Sequence, residues 1–187
     1  QVVRCQQEGH WVEEDGEFWR SITYIGAATT TDVILNRDHA RELGYGLGMF
    51  HSLISDPPTE DLADTLENFH VTPAYLKRYD SVIKSRCTRD DAVDSACAFI
   101  EARRDGIDVL EAALQRGDLK QRPIHGDPKI NNVMIDDNSG HAVGLIDLDT
   151  VKPGLVHYDI GDCLRSCCNR AGEETDDLNT VVFDLEL

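Results

Sequence analysis

The chain has 187 residues, 41% hydrophobic and 28% charged, a balance that suits one ordinary globular core. Its 35 acidic and 18 basic residues give a formal charge of −17, which excludes a surface built to hold nucleic-acid phosphates and favours solubility. No membrane-length apolar run, signal-type leader or lipidation motif is read in these residues, so no membrane partner is expected and cytoplasm is the expected compartment.

"QVVRCQQ" and "EFWRSITYI" read as two β-type runs, with turn residues in the intervening "EGHWVEEDG". A lone hairpin cannot bury its apolar face, so the sheet is expected to continue upstream of Gln1, with Trp11 and Trp19 packing against it. "GAATTTD" reads as a connector. Ala40, Leu43, Leu47, Phe50 and Ile54 recur at helical spacing and predict an amphipathic helix from about Arg37 to Ser55, ended by "SDPPTED". His51 on its apolar side reads as a core histidine. Thr72-Pro73 offers an N-cap and a first helical position to a second helix bearing Leu76, Tyr79 and Ile83. A third helix carries Ala92, Val93, Ala96, Cys97 and Ile100. A fourth carries Val109, Leu110, Ala113 and Leu114, with Gly117 where it should stop.

The period then changes. "RPIHGD" is a short strand entering a loop, and "NVMID" and "AVGLIDLD" flank "DNSG" as the arms and turn of a hairpin. A helix is predicted from Ile160 to Cys168, and the tail "LNTVVFDLEL" has helical spacing. Cys5, Cys87, Cys97, Cys163, Cys167 and Cys168 form no CxxC pair and no zinc-spaced cluster, and read as small core residues in a reducing compartment.

The hairpin carries the chemistry. Asp127 precedes its first arm, Asn132 opens that arm and Asp147 closes the second. In an antiparallel hairpin the start of one strand lies beside the end of the next, so Asn132 and Asp147 are expected to be neighbours with Asp127 on the adjoining loop. Carboxylates beside a core are costly unless a cation sits among them. Two hard oxygen donors and a third carboxylate suit magnesium, which fills much of its shell from water and phosphate oxygens.

"HGDPKINN" resembles the catalytic loop of the aminoglycoside phosphotransferase and choline kinase superfamily, distant relatives of protein kinases. The shared pattern is His125-Gly126-Asp127, then Asn132, then Ile146-Asp147 after a hairpin. Protein kinases have Arg where this chain has Gly126, and Phe-Gly where it has Leu148-Asp149, so the departures point to the small-molecule branch. The resemblance implies an α+β, protein-kinase-like fold: a mainly helical C-terminal lobe at 26–187 with a catalytic β-hairpin, and at 1–25 the last strands and hinge of a largely missing nucleotide lobe. The C-terminal lobe is expected to be cut short at Leu187.

Residue by residue, the resemblance makes Asp127 the group that accepts or orients the substrate hydroxyl proton. Lys129 lies near the transferred phosphate, and Asn132 and Asp147 hold Mg²⁺ on ATP. Ile25 and Gly26 fall at the hinge that meets adenine. His125 is structural, and Asp159 and Asp162 brace the loop. "EFWRSITYI", Phe69-His70-Val71-Thr72-Pro73, Ile146 through Gly154 and Tyr158 through Arg165 are similar to the N-acetylhexosamine 1-kinase branch, which phosphorylates the anomeric hydroxyl of its sugar. That likeness makes His70 and Arg165 candidates for the sugar side and leaves Asp149 open to metal, substrate or neither.

Three other readings compete. Within the class, the acceptor could be an aminoglycoside, choline or a homoserine-like compound. From another class, His125, Asp127, Asp147 and Asp149 could serve a metal-dependent phosphoesterase. The third is a catalytically inactive kinase-like binding module.

Overall fold

The computed structural model describes residues 1–5, 9–56, 58–85 and 90–187, so Cys87 lies outside the described residues. The chain opens with a small hairpin, β1 (Val12–Glu14) and β2 (Glu17–Trp19), joined through Asp15 and Gly16. Both turn residues have left-handed backbones, φ 54° and 82°, which is what a two-residue turn matching strand twist requires. The turn and β1 fall inside the stretch expected to be only a turn, whereas β2 lies in "EFWRSITYI", where a β-type run was expected. The Asp-Gly pair was the signal, and the longer β-type runs on either side masked it. Outside β1 and β2 the described residues of those runs pair at the bridge Val2↔Ile22, with the Val3 N–H donating to the Ser21 carbonyl and the Thr23 N–H to the Gln1 carbonyl, both at 2.8 Å. Trp11 and Trp19 are exposed, and Trp11 meets Phe18 edge-on at 4.9 Å.

β3 (Ala28–Thr29) lies in the segment expected to be a bare connector. Helix α1 (Arg37–Leu53) follows, capped by Asn36, whose side-chain oxygen accepts the His39 N–H at 2.9 Å. α2 (Thr72–Ile83) begins one residue earlier than expected, with Val71 at the cap position and Thr72 already helical. Asp90 caps α3 (Asp91–Glu101) by accepting the Val93 N–H at 2.8 Å, and α4 (Val109–Arg116) ends on Gly117 at φ 80°. Arg104 grips both carboxylate oxygens of Asp80, at 2.9 and 3.1 Å, tying α2 to the turn after α3.

The second half holds β4 (Arg122–Ile124), β5 (Val133–Asp136), β6 (Ala142–Leu145), β7 (Lys152–Gly154) and α5 (Val156–Cys167). β3, β5 and β6 form one antiparallel sheet, and β4 pairs with β7. α5 starts four positions before the expected Ile160, because Val156 and His157 already follow the turn out of β7. The tail is not helical beyond a short turn at Leu178–Thr180. Val181, Val182 and Phe183 run extended, and Phe183 bridges back to Asn169. β-branched neighbours prefer that backbone once a strand-like partner is at hand.

The core lies where α1, the β5–β6 hairpin and α5 meet: Leu43, Leu47, Ile130, Val133, Cys163 and Cys167. Burying each large aliphatic side chain contributes about 1.5–3 kcal/mol. Gly46 lets α1 press on the hairpin, since a Cβ there would stand 3.1 Å from the Cβ of Ala142. Cys97 and Cys168 are also buried, and every cysteine in the described residues is a free thiol. No helix among the described residues is long and apolar enough to cross a membrane.

The pairing of β4 with β7 closes the base of the hairpin region. Arg122 faces Gly154 and Ile124 faces Lys152, so the excursion from His125 to Val151 leaves and rejoins the helical layer at one place.

Candidate active site

Strand β4 feeds the chain into the loop His125–Asn132, and β6 feeds it into Ile146 and Asp147. His125 is fully buried between them. Its Nε2 lies 3.0 Å from the Ile146 carbonyl, which can only accept, so Nε2 carries the proton. Nδ1 is then free to accept the Asp127 N–H at 3.3 Å. One neutral imidazole thus staples the loop bearing Asp127 to the segment bearing Asp147.

Burial holds the His125 pKa below its usual 6.5, against the opposing pull of the Ile146 carbonyl and nearby carboxylates. The unfolded chain therefore takes up this proton first as pH falls. Stability contributed by neutral His125 is complete above about 6.5 and is lost as pH drops toward the folded pKa. In urea titrations the wild-type protein should lose more stability between pH 7 and pH 5 than His125→Gln does. A residual slope will remain in the variant from His39, which burial shifts the same way. Identical slopes would show that His125 is not the titrating group.

The loop is anchored from beneath by Asp159 on α5. Its fully buried carboxylate accepts the His125 N–H at 2.7 Å and the Gly126 N–H at 2.9 Å, and His51 Nε2 lies 3.0 Å away. Gly126 has φ 88°, and a Cβ there would fall 2.5 Å from the Thr150 carbonyl oxygen. Thr150 in turn donates its hydroxyl to the His125 carbonyl at 2.8 Å. From α5, the Ser166 hydroxyl accepts the Ile130 N–H at 3.2 Å.

This frame gathers polar groups at one end of the hairpin. The Asn132 side-chain nitrogen donates to the Asp127 carbonyl at 2.8 Å, which leaves Oδ1 free to face a ligand. The Ile146 N–H donates to the Asn132 carbonyl at 2.9 Å, one step beyond the Val133↔Leu145 rung. Asp147 follows at once, in a left-handed backbone at φ 61° and ψ 57°. A non-glycine residue held there stores strain of order 1–3 kcal/mol, a cost typical of functional positions. Lys129 Nζ stands 3.3 Å from Asp127 Oδ2. Partial burial lowers the Lys129 pKa, but the Asp127, Glu173 and Asp147 carboxylates together outweigh it and hold the ammonium above its ordinary value.

Asp127 also forms part of the wall of a cavity of about 510 Å³, shared with His70, Tyr75, Tyr158, Asp162 and Arg165. Arg165 donates to Asp162 Oδ1 at 2.8 and 3.0 Å and meets Glu173 at 3.1 Å. Burial raises the Asp162 pKa, with Arg165 opposing. The Tyr158 hydroxyl donates to Glu111 at 2.6 Å, fixing its ring in the wall, and burial with that carboxylate pushes the phenol pKa up.

The expected residues therefore fall into groups. Asp127, Lys129, Asn132 and the segment of Asp147 come together at the hairpin's end. His70 and Arg165 meet Asp127 across the cavity. Asp149 is not in that wall. It is exposed and pairs with Arg20 at 2.6 Å. Ile25 packs over Gly144 of β6, at the sheet's outer edge, with Gly26 beside it. Tyr75, Tyr158 and the buried Lys152 escaped sequence reasoning. Lys152 Nζ donates to Asp64 and to the Leu66 carbonyl, both at 2.7 Å, and nothing in "TVKPG" signals burial.

The family model described as the phosphotransferase enzyme family matches residues 5–179. The chain belongs to that family. Members of this phosphotransferase family are kinases that use ATP, and their fold is protein-kinase-like, in keeping with the α+β arrangement of small sheets and five α-helices among the described residues. The His-Gly-Asp loop and the hairpin after it lie well inside the matched span.

Proposed function

We propose that this phosphotransferase moves the γ-phosphoryl group of ATP to a hydroxyl of an N-acetylhexosamine, at the anomeric position. The observation that carries the reading is the cavity beside Asp127. Its charges nearly cancel: Asp127 faces Lys129, and Arg165 is shared by Asp162 and Glu173, which leaves one carboxylate in excess. An acceptor entering there meets aromatic rings and ion pairs with a single negative charge to spare. That suits a neutral polyhydroxylated ring better than a polycation, whatever the net charge of the whole chain.

In this reading Asp127 orients the acceptor hydroxyl and accepts its proton as the bond to phosphorus forms, and Lys129 offsets charge on the transferring group. Asn132 and Asp147 would hold the metal. Among the described residues no group of three His, Cys, Asp or Glu side chains is placed for a metal, and two oxygen donors suit an ion that completes its shell elsewhere. Magnesium bound there would neutralise the phosphates of ATP. A phosphoesterase holding two metals would need more ligands than this. We assign residues 1–25 to the end of a nucleotide lobe, with Ile25 and Gly26 at the adenine hinge, and 26–187 to the catalytic lobe. Asp149 is left outside the acceptor site, and His70 and Arg165 within it.

The test is an acceptor panel with the natural full-length protein, following ADP release and the phosphorylated product. N-acetylglucosamine or N-acetylgalactosamine should give kcat/KM at least about tenfold above aminoglycosides, choline or homoserine, a margin of about 1.4 kcal/mol. Faster turnover of any cationic acceptor would overturn the reading.

A further inference from the structure

His70 belongs to a tight turn that its neighbours force into shape. Asn68 and His70 both have left-handed backbones, φ 62° and 65°, and Val71 N–H closes the turn on the Asn68 carbonyl at 3.0 Å. Asn and His are among the few side chains that tolerate this backbone without glycine. The His70 N–H donates to the Tyr75 hydroxyl at 2.7 Å, and its ring lies tilted by 42° against Phe69, 4.0 Å between centroids. The ring is thereby aimed across the cavity, where Nε2 meets the Gly126 carbonyl at 2.6 Å. That carbonyl belongs to the peptide unit immediately before Asp127. It can only accept, so Nε2 bears the proton.

The rest of the segment is fastened to the same excursion. Lys152 holds Asp64 and the Leu66 carbonyl, and the Thr65 hydroxyl reaches the Asp149 carbonyl at 3.4 Å. Residues 64–70 thus run as a strap from β7 to the loop of Asp127, and they end in the cavity wall at Phe69 and His70.

We propose that His70 is a positioning residue: it fixes the Gly126–Asp127 peptide, and so the aim of the Asp127 carboxylate, and ties that aim to the wall the acceptor touches. The inference rests on the reading of Asp127 as the group that orients the acceptor hydroxyl. This peptide offers two handles, the Asp127 N–H, which His125 Nδ1 accepts at 3.3 Å, and the Gly126 carbonyl, which His70 holds by the shorter contact of 2.6 Å. A misaimed carboxylate lowers the chemical step and leaves ground-state binding largely intact.

Two substitutions separate this role from a bare structural one. His70→Asn keeps the backbone tolerance but its amide is too short to reach Gly126. His70→Gln carries an amide nitrogen about as far out as Nε2. His70→Asn should lower kcat by about 10–100-fold with acceptor KM changed less than about threefold, and His70→Gln should recover at least about half of that loss on a logarithmic scale. Unchanged kcat in His70→Asn, a rise in acceptor KM alone, or equal losses in both variants would overturn the proposal. Imidazole ¹⁵N spectra of the wild-type protein give an arm that needs no turnover. Nε2 of His70 should appear protonated and slow to exchange, and an Nδ1–H tautomer would overturn the proposal even if every acceptor in the panel failed. Failure of the panel with the expected tautomer would instead count against the acceptor assignment alone.

Discussion

Asp127→Asn is expected to lower turnover by about 10²–10⁴, the range associated with a positioned proton acceptor. The fold should scarcely register the change. Asp127 is placed by its backbone: its N–H by His125 Nδ1, its carbonyl by the Asn132 amide. The carboxylate adds only a long bond from the Asn132 amide at 3.4 Å and the contact with Lys129. An asparagine keeps one side-chain oxygen in the same rotamer, within reach of the Lys129 ammonium that stands 3.3 Å from Oδ2 in the wild type. What it loses is the capacity to take a proton and the charge facing Lys129. A partly exposed pair of this kind contributes at most about 1 kcal/mol. Single-turnover transfer from ATP, with thermal unfolding run in parallel, checks both halves. Turnover within about threefold of wild type would remove Asp127 from the chemistry, since a positioned base contributes far more.

Asp159→Ala should act in the opposite way, on the scaffold first. Its carboxylate is the acceptor for two buried N–H groups, those of His125 and Gly126, and it adjoins His51. Removing it orphans both donors in a site that water does not reach, and leaves a void. A loss of about 3–5 kcal/mol is expected, against a typical total of 5–15. For a chain of this length that lowers the unfolding midpoint by about 6–20 °C. Asp159→Asn should fall between, because one amide oxygen can still accept one N–H while its NH₂ faces the other. Calorimetric scans at pH 7 settle the order. A midpoint within a degree or two of wild type in Asp159→Ala would show that the loop is held by its other bonds.

The two predictions reflect how legible each part was. Asp127, Asn132 and Asp147 could be placed from the sequence because a hairpin fixes which of its ends meet, and "DNSG" fixes where it turns. The helices were legible for the same reason: apolar spacing and Gly117 as a stop need no distant partner. The cavity wall was harder. Tyr75 comes from the first turn of α2, Tyr158 and Arg165 from α5, and only the packing of those elements brings them beside Asp127. Asp149 is drawn to Arg20, 129 positions away, a pairing that no local pattern encodes. Lys152 looks like a surface lysine until the strap folds over it. The tail's helical spacing was outweighed by β-branched residues with a backbone partner at Asn169.

The closure of β4 on β7 carries a mechanical consequence. The groups assigned to proton handling and phosphate handling emerge from a single excursion of chain with one base, and His125 cross-links its two limbs. Asp159 and Ser166 bind the Asp127 limb to α5, and Val133 packs it on α1, so Asp127, Asn132 and Asp147 are carried with those helices as one body. The transfer machinery and the α5 side of the cavity thus form one rigid unit, and a substitution that loosens the base would misalign both together.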